Sequence, residues 1–275
     1  MSKGRYTLAL MILATAALLA GCASRRDKAA ELALGHAMRT AVFDGGYFDL
    51  YGQVPQHFQP GQPLSVYIEG DGYAYISRQR LNDDPTPRDP LALDLATRDP
   101  APNVVYLARP CQYVTGPQRR HCEPAYWSVA RYAENVIAST NAVIDQLVAK
   151  SGARGVRLYG HSGGATVALL VAARRNDVLS VMSVAGLLDT EAWTRMDGLA
   201  PLIYSLNPAD MAQRLADIPQ VHLLGADDDV ISPAVARSYA AHFPADRQPR
   251  LQIVEGQDHT CCWAERWPQL LRLRP

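Results

Sequence analysis

The chain has little of what several function classes require. Its 27 Lys and Arg balance 27 Asp and Glu over 275 residues, and the basic residues form no long run, so nothing in it calls for nucleic acid or an acidic polymer as partner. No phosphate loop, dinucleotide fingerprint or metal-ligand helix occurs. No two cysteines stand at C-x-x-C spacing. No cofactor and no metal is therefore expected. A membrane-spanning run is missing too, because the uncharged apolar stretch at 8–20 has thirteen residues, too few to cross a bilayer as a helix. What remains is 48% hydrophobic and 8% aromatic, ordinary for a globular protein and long enough for one large domain.

The beginning of the chain reads as a leader. Lys3 and Arg5 supply a positive region, residues 8–20 an apolar core, and Ala20-Gly21 the small residues of a cleavage site. Leu19-Ala20-Gly21-Cys22 resembles the bacterial lipobox. That resemblance implies a signal peptide over 1–21, lipidation of Cys22, and a stable hold on the membrane through more than one acyl chain. Ala23 in place of Asp, by resemblance to enterobacterial lipoproteins, implies the outer membrane, facing the periplasm. Residues 22–40, Ala-rich and of mixed charge, read as a tether, with the domain proper over 41–275.

Export permits disulfides. The remaining cysteines are Cys111, Cys122, Cys261 and Cys262. Cys111 and Cys122 bracket one loop; the adjacent Cys261 and Cys262 form a vicinal bridge, or one of them reaches the other loop, or all four are buried free thiols.

The strongest local pattern is Gly160-His161-Ser162-Gly163-Gly164, which joins the alternating run Val156-Arg157-Leu158-Tyr159 to an apolar, helix-compatible segment. A serine on so sharp a strand-to-helix turn is held in a strained conformation, and the glycines remove side chains that would collide there. The new helix aims free N–H groups at the place where negative charge would develop. Two other strands end in polar loops: 221–224 before Gly225-Ala226-Asp227-Asp228-Asp229, and 251–254 before Gly256-Gln257-Asp258-His259. Further strands are read at 104–108 and 181–186, and residues 48–54 with 64–68 read as an antiparallel hairpin at a sheet edge. Helices are expected at 91–96, from Ser128 to Gly152, after Ser232-Pro233 and over 263–271. A lid helix is expected at 208–216, with Trp193, Ile203, Tyr204 and Leu206 serving as an apolar wall or as plain core. Arg109, at a strand end, binds an anionic group or pairs with a carboxylate.

On these three strand exits the chain resembles the α/β-hydrolase family over most of its mature length, since Ser, Asp and His follow in the order that family uses. The resemblance implies an α/β fold with a mostly parallel sheet, an antiparallel N-terminal hairpin, helices on both faces and a short cap or none. It also implies roles: Ser162 as nucleophile, His259 as base and Asp228 as the acid that orients it. The family's Gly-x-x-Asp spacing selects Asp228, with Asp227, Asp229 and Asp189 as fallbacks. His222 lies within a strand, His242 on a helix, and His161 is the variable residue of the turn. Oxyanion donors are expected at the N–H of Gly163 and of Asp71, or Gly72, although the family usually has His-Gly where this chain has Glu69-Gly70. The function implied is hydrolysis of carboxylic esters or thioesters at a membrane, on a small-molecule or lipid ester. A serine peptidase or amidase on the same fold is the alternative, as is an envelope lipoprotein that only binds.

Overall fold

The computed structural model describes residues 24–77 and 79–275; the segment 1–21 read as a signal peptide, and Cys22, lie outside them. The first described element, α1 (Arg25–Leu34), starts with reciprocal bonds in which Asp27 N–H donates to Ser24 Oγ and Ser24 N–H to Asp27 Oδ2. Ala29 and Ala33, one turn apart, are fully buried. The described part of segment 22–40 is therefore not a tether but a helix of the fold, followed by β1 (Met38–Asp44). Small alanines seat the helix closely, which an Ala-rich, charged composition conceals.

Next come β2 (Asp49–Pro55), β3 (Leu64–Ile68), a short hairpin of β4 (Tyr75–Ser77) and β5 (Arg80–Leu81), α2 (Leu91–Thr97) and β6 (Val104–Leu107). The expected pairing of 48–54 with 64–68 is not made. β2 pairs antiparallel with β1 on one side and with β6 on the other, and β6 separates it from β3. The hairpin partner is β1, whose first three residues, 38–40, fall in the segment read as tether.

The remaining elements are α3 (Glu134–Ser151), β7 (Val156–His161), α4 (Gly163–Ala172), β8 (Val178–Val184), α5 (Thr190–Met196), α6 (Ala212–Leu215), β9 (Gln220–Gly225), α7 (Pro233–Ala241), β10 (Arg250–Val254) and α8 (Trp263–Leu270). Eight strands form the main sheet in the order β1-β2-β6-β3-β7-β8-β9-β10, parallel from β6 to β10. Alternation along each central strand loads two cores. Val66 and Leu158 face α3, α4 and α7; Tyr67 and Tyr159 face α1, α2 and α8, stacking at 4.3 Å with Trp267 edge-on to both.

Two helix expectations shift. α3 begins at Glu134 rather than Ser128, because Ser128 Oγ donates to the carbonyl of Pro124, closing an earlier 3₁₀ turn, and Arg131 Nε donates to the carbonyl of Ser128. Its end is as read: Gly152 takes the left-handed φ of 63° and its N–H donates to the carbonyl of Val148. Residues 208–216 are not a lid. The 3₁₀ turn Pro208–Met211 and α6 bury Ala209, Ala212 and Leu215 in the core under α4.

Candidate active site

In a parallel sheet the C-terminal strand ends open on one side, and loops leaving them meet there. β7 delivers Ser162 at φ 53° and ψ −124°, with its N–H donating to the carbonyl of Val184 and its own carbonyl accepting from Ala165 and Leu187. The glycines around it are sterically required. A Cβ on Gly160 would lie 2.4 Å from Ala165 N, and one on Gly164 would lie 2.2 Å from the carbonyl oxygen of Ile68. Side chains at either position would push the helix off the strand.

β9 delivers Asp228, whose side chain is 1% exposed. Its Oδ1 accepts N–H bonds from Val230 at 2.9 Å and Ile231 at 2.8 Å. Asp227 and Asp229 are exposed. Asp189 caps α5 and is bonded by Ala192 N–H, Ser238 Oγ and Asn207 Nδ2, so its oxygens are already occupied.

The loop after β10 carries His259. Asp258 Oδ1 accepts from the N–H groups of Thr260 and Cys261, and Trp263 Nε1 donates to the Asp258 carbonyl, turning the loop back over the sheet. His259 Nδ1 donates to Asp228 Oδ2 at 3.0 Å, and Ser162 Oγ donates to His259 Nε2 at 2.9 Å. Burial pushes the Asp228 carboxyl up, but the hydrogen bond and charge of His259 and the two backbone donors outweigh it and hold the pKa below the ordinary value. The carboxylate stays ionised.

Beside Ser162, the loop after β3 runs close under the turn: a Cβ on Gly70 would lie 3.3 Å from Ser162 Cβ. Asp71 projects its carboxylate under Gly163, where a Cβ would come within 2.1 Å of Oδ1. Arg109 Nη1 donates to Asp71 Oδ1 at 2.9 Å, Arg131 Nη1 to Oδ2 at 2.7 Å, and Tyr132 OH to Oδ2 at 2.9 Å. Burial opposes ionisation of Asp71, yet the charges of Arg131 and Arg109 and the bonds from Arg131 and Tyr132 prevail and lower its pKa. Arg109 thus pairs with a carboxylate of the chain itself. Arg131 and Tyr132 escaped the sequence reading because they sat within a stretch whose apolar spacing suggested continuous helix.

A second buried polar pair lies behind the first. His161 Nε2 donates to the carbonyl of His259 at 3.0 Å, and its Nδ1 lies 3.8 Å from Oε1 of Glu69, which is 2% exposed. The remaining Glu69 oxygen has no hydrogen-bond partner among the described residues. His222 is remote from this site, buried and bonded to Ser183 Oγ and Gln220. His242, half exposed, lies at the end of α7.

The cysteines pair as Cys111–Cys122, with Cα atoms 5.5 Å apart, and Cys261–Cys262. The vicinal pair, with Trp263, borders a pocket of about 830 Å³ that has Ser162 and His259 in its wall. Trp193 also lines it, whereas Ile203 and Tyr204 are exposed outside it and Leu206 packs on the core. Among the described residues no group of His, Cys, Asp and Glu is placed to hold a metal ion.

No protein-family model and no curated protein sequence matches the chain. Solved structures do. Est1E from Butyrivibrio proteoclasticus matches with a TM-score of 0.59 at 12% identity, over 85% of this chain and 96% of its own. An alpha-beta serine hydrolase homologue from Coxiella burnetii matches with 0.58 at 13%, over 86% and 94%. A membrane phospholipase A described as a bacterial virulence factor matches with 0.55 at 16%, over 98% of both chains. With the strand order above, these likenesses show that the chain has the α/β-hydrolase fold.

Proposed function

We propose that the chain is a serine hydrolase of carboxylic esters or thioesters, anchored in the cell envelope, on the outer membrane, through lipidated Cys22. The observation that carries the hydrolase reading is the unbroken relay from Ser162 Oγ through His259 to Asp228, at 2.9 Å and 3.0 Å. Serine is a weak nucleophile at its own pKa, so its hydroxyl proton must pass to His259 Nε2 as Oγ attacks the acyl carbon. Asp228 fixes the tautomer with Nε2 free and stabilises the imidazolium that forms. The tetrahedral oxyanion would lie between the N–H groups of Gly163 and Asp71, one such donor being worth about 3 kcal/mol of barrier. His259 then returns the proton to the departing alcohol or thiol, and water, deprotonated by the same imidazole, frees the acid and regenerates Ser162.

The expected experiment is labelling of the purified protein with a fluorophosphonate probe. Wild type reacts, and Ser162→Ala, folded to the same melting profile, does not. A folded wild type that fails to react refutes the enzyme reading and favours a binding module. Comparing 4-nitrophenyl esters with peptide 4-nitroanilides separates esterase from amidase. For the anchor, Cys22→Ser should move the protein from the membrane to the soluble fraction.

A further inference from the structure

We infer that the mouth of the Ser162 pocket faces the lipid surface holding the anchor, and that the substrate is an acyl ester of an amphiphile resident in that surface. The inference deepens the ester-hydrolase reading and rests on it and on lipidation at Cys22.

The entry point of the chain is the first support. Arg25, at the start of α1, donates from Nη1 to the carbonyl of Thr86 at 2.7 Å and lies over the ring of Tyr73, with Arg88 over the same ring at 3.8 Å. Tyr73 and Arg88 line the pocket, and so does Leu32 further along α1. The first described helix therefore starts on the rim. Cys22 precedes Ser24 by two residues, and two extended residues span no more than about 7 Å. An anchor on so short a leash cannot lift the domain away, because α1 is packed into the fold. It draws this rim to the headgroups.

The surface around the rest of the mouth is the second support. Ile203 and Tyr204 are 69% and 66% exposed. Their neighbour Ser205 accepts from Tyr132 N–H and donates to the Val129 carbonyl, setting them beside Arg131 of the pocket wall. Arg131 in turn lies 5.9 Å from the ring centre of Tyr75, whose neighbour Ile76 is exposed. Val230 is exposed as well, and its carbonyl accepts from Trp193 Nε1. Ile203, Tyr204 and Ile76 are thus exposed next to residues of the pocket wall, and Val230 is exposed in the wall itself; apolar side chains exposed beside a pocket suit contact with an apolar phase, and tyrosine suits the level of lipid headgroups. A protein partner would have to compete for this face with the bilayer that the anchor already holds against it. An acyl ester then enters the pocket directly from lipid, its chain never crossing water.

The test uses the full-length lipidated protein reconstituted in vesicles of phosphatidylethanolamine and phosphatidylglycerol. Its substrates are a long-chain fluorogenic acyl ester embedded in those vesicles and 4-nitrophenyl acetate in the water around them. Ile203→Glu with Tyr204→Glu should lower turnover of the embedded ester by about tenfold or more, since charge is expelled from an apolar phase. Turnover of 4-nitrophenyl acetate should stay at the wild-type level, which also reports that the variant is folded. Separately, Tyr204→Trp should show fluorescence quenched by brominated lipid. Unquenched fluorescence, or equal turnover of the embedded ester, overturns the inference while leaving the hydrolase reading intact. A wild type that hydrolyses neither ester refutes the ester-hydrolase reading itself, and the substrate assignment falls with it.

Discussion

His161 Nε2 donates to the carbonyl oxygen of His259 at 3.0 Å, so the residue just before Ser162 holds the loop that brings the base to it. The serine and the histidine come from sequence positions 97 apart, and this bond fixes one against the other. Its Nδ1 lies 3.8 Å from Glu69 Oε1 and has no hydrogen-bond partner among the described residues, so the bond to His259 is the one that holds the ring.

His161 is thus a positioning residue, acting through His259. His161→Phe keeps the bulk and loses the bond, and kcat should fall by about tenfold to a hundredfold, the cost of misplacing a reacting group by about 1 Å. KM should stay near wild type. His161→Gln, which retains an N–H donor, should recover part of the rate; steady-state kinetics on a 4-nitrophenyl ester reads both, and an unchanged kcat in the Phe variant would deny the role.

Asp228 and Asp189 are separable by substitution. Asp228→Asn should cut kcat by about 10⁴-fold, because the amide favours the wrong imidazole tautomer. Asp189→Asn should leave kcat near wild type, since Asp189 is engaged with Ala192, Asn207 and Ser238. The reverse ranking would move the acid to the strand before.

The Asp71 cluster should register in stability and in its acid limb. Arg131→Met leaves a carboxylate that is 19% exposed with one cation fewer; breaking a fully buried pair costs about 3 kcal/mol or more, so a smaller loss of stability is expected here, measurable by urea denaturation. The folded pKa of Asp71 is depressed, so its contribution is complete above the unfolded value of about 3.9 and is lost as pH falls through the lower folded value. Wild type should therefore lose this increment only in strong acid, and Arg131→Met should show less of that loss.

His222 gives the opposite group type with the same slope. Burial lowers its pKa from 6.5 to about 3. Between those values the unfolded chain binds a proton that the folded chain refuses, so stability declines as pH falls, by up to about 1.4 kcal/mol per pH unit. His222→Asn should flatten that limb between pH 6 and 4 in urea melts followed by circular dichroism. An unchanged slope would show that other groups set it.

What the sequence by itself determined was whatever depends on local backbone chemistry. Gly160 and Gly164 around Ser162 declare a close crossing of strand and helix, Asp228 stands at a fixed step from Gly225, and His259 follows the last strand. Alternation placed the strand before Ser162, and an unbroken apolar run placed the strand at 104–108. Three things were decided only when the chain closed. β6 inserted between β2 and β3, because a strand's apolar faces do not name its neighbour. α1 packed on α2 through Ala29 and Ala33, whose small side chains carry no hydrophobic signature of their own. Arg109, Arg131 and Tyr132 met at Asp71, because a buried carboxylate needs its countercharges from wherever the fold brings them. The Ser162 turn was therefore readable as a motif, whereas the clamp beneath it and the rim around it exist only in three dimensions.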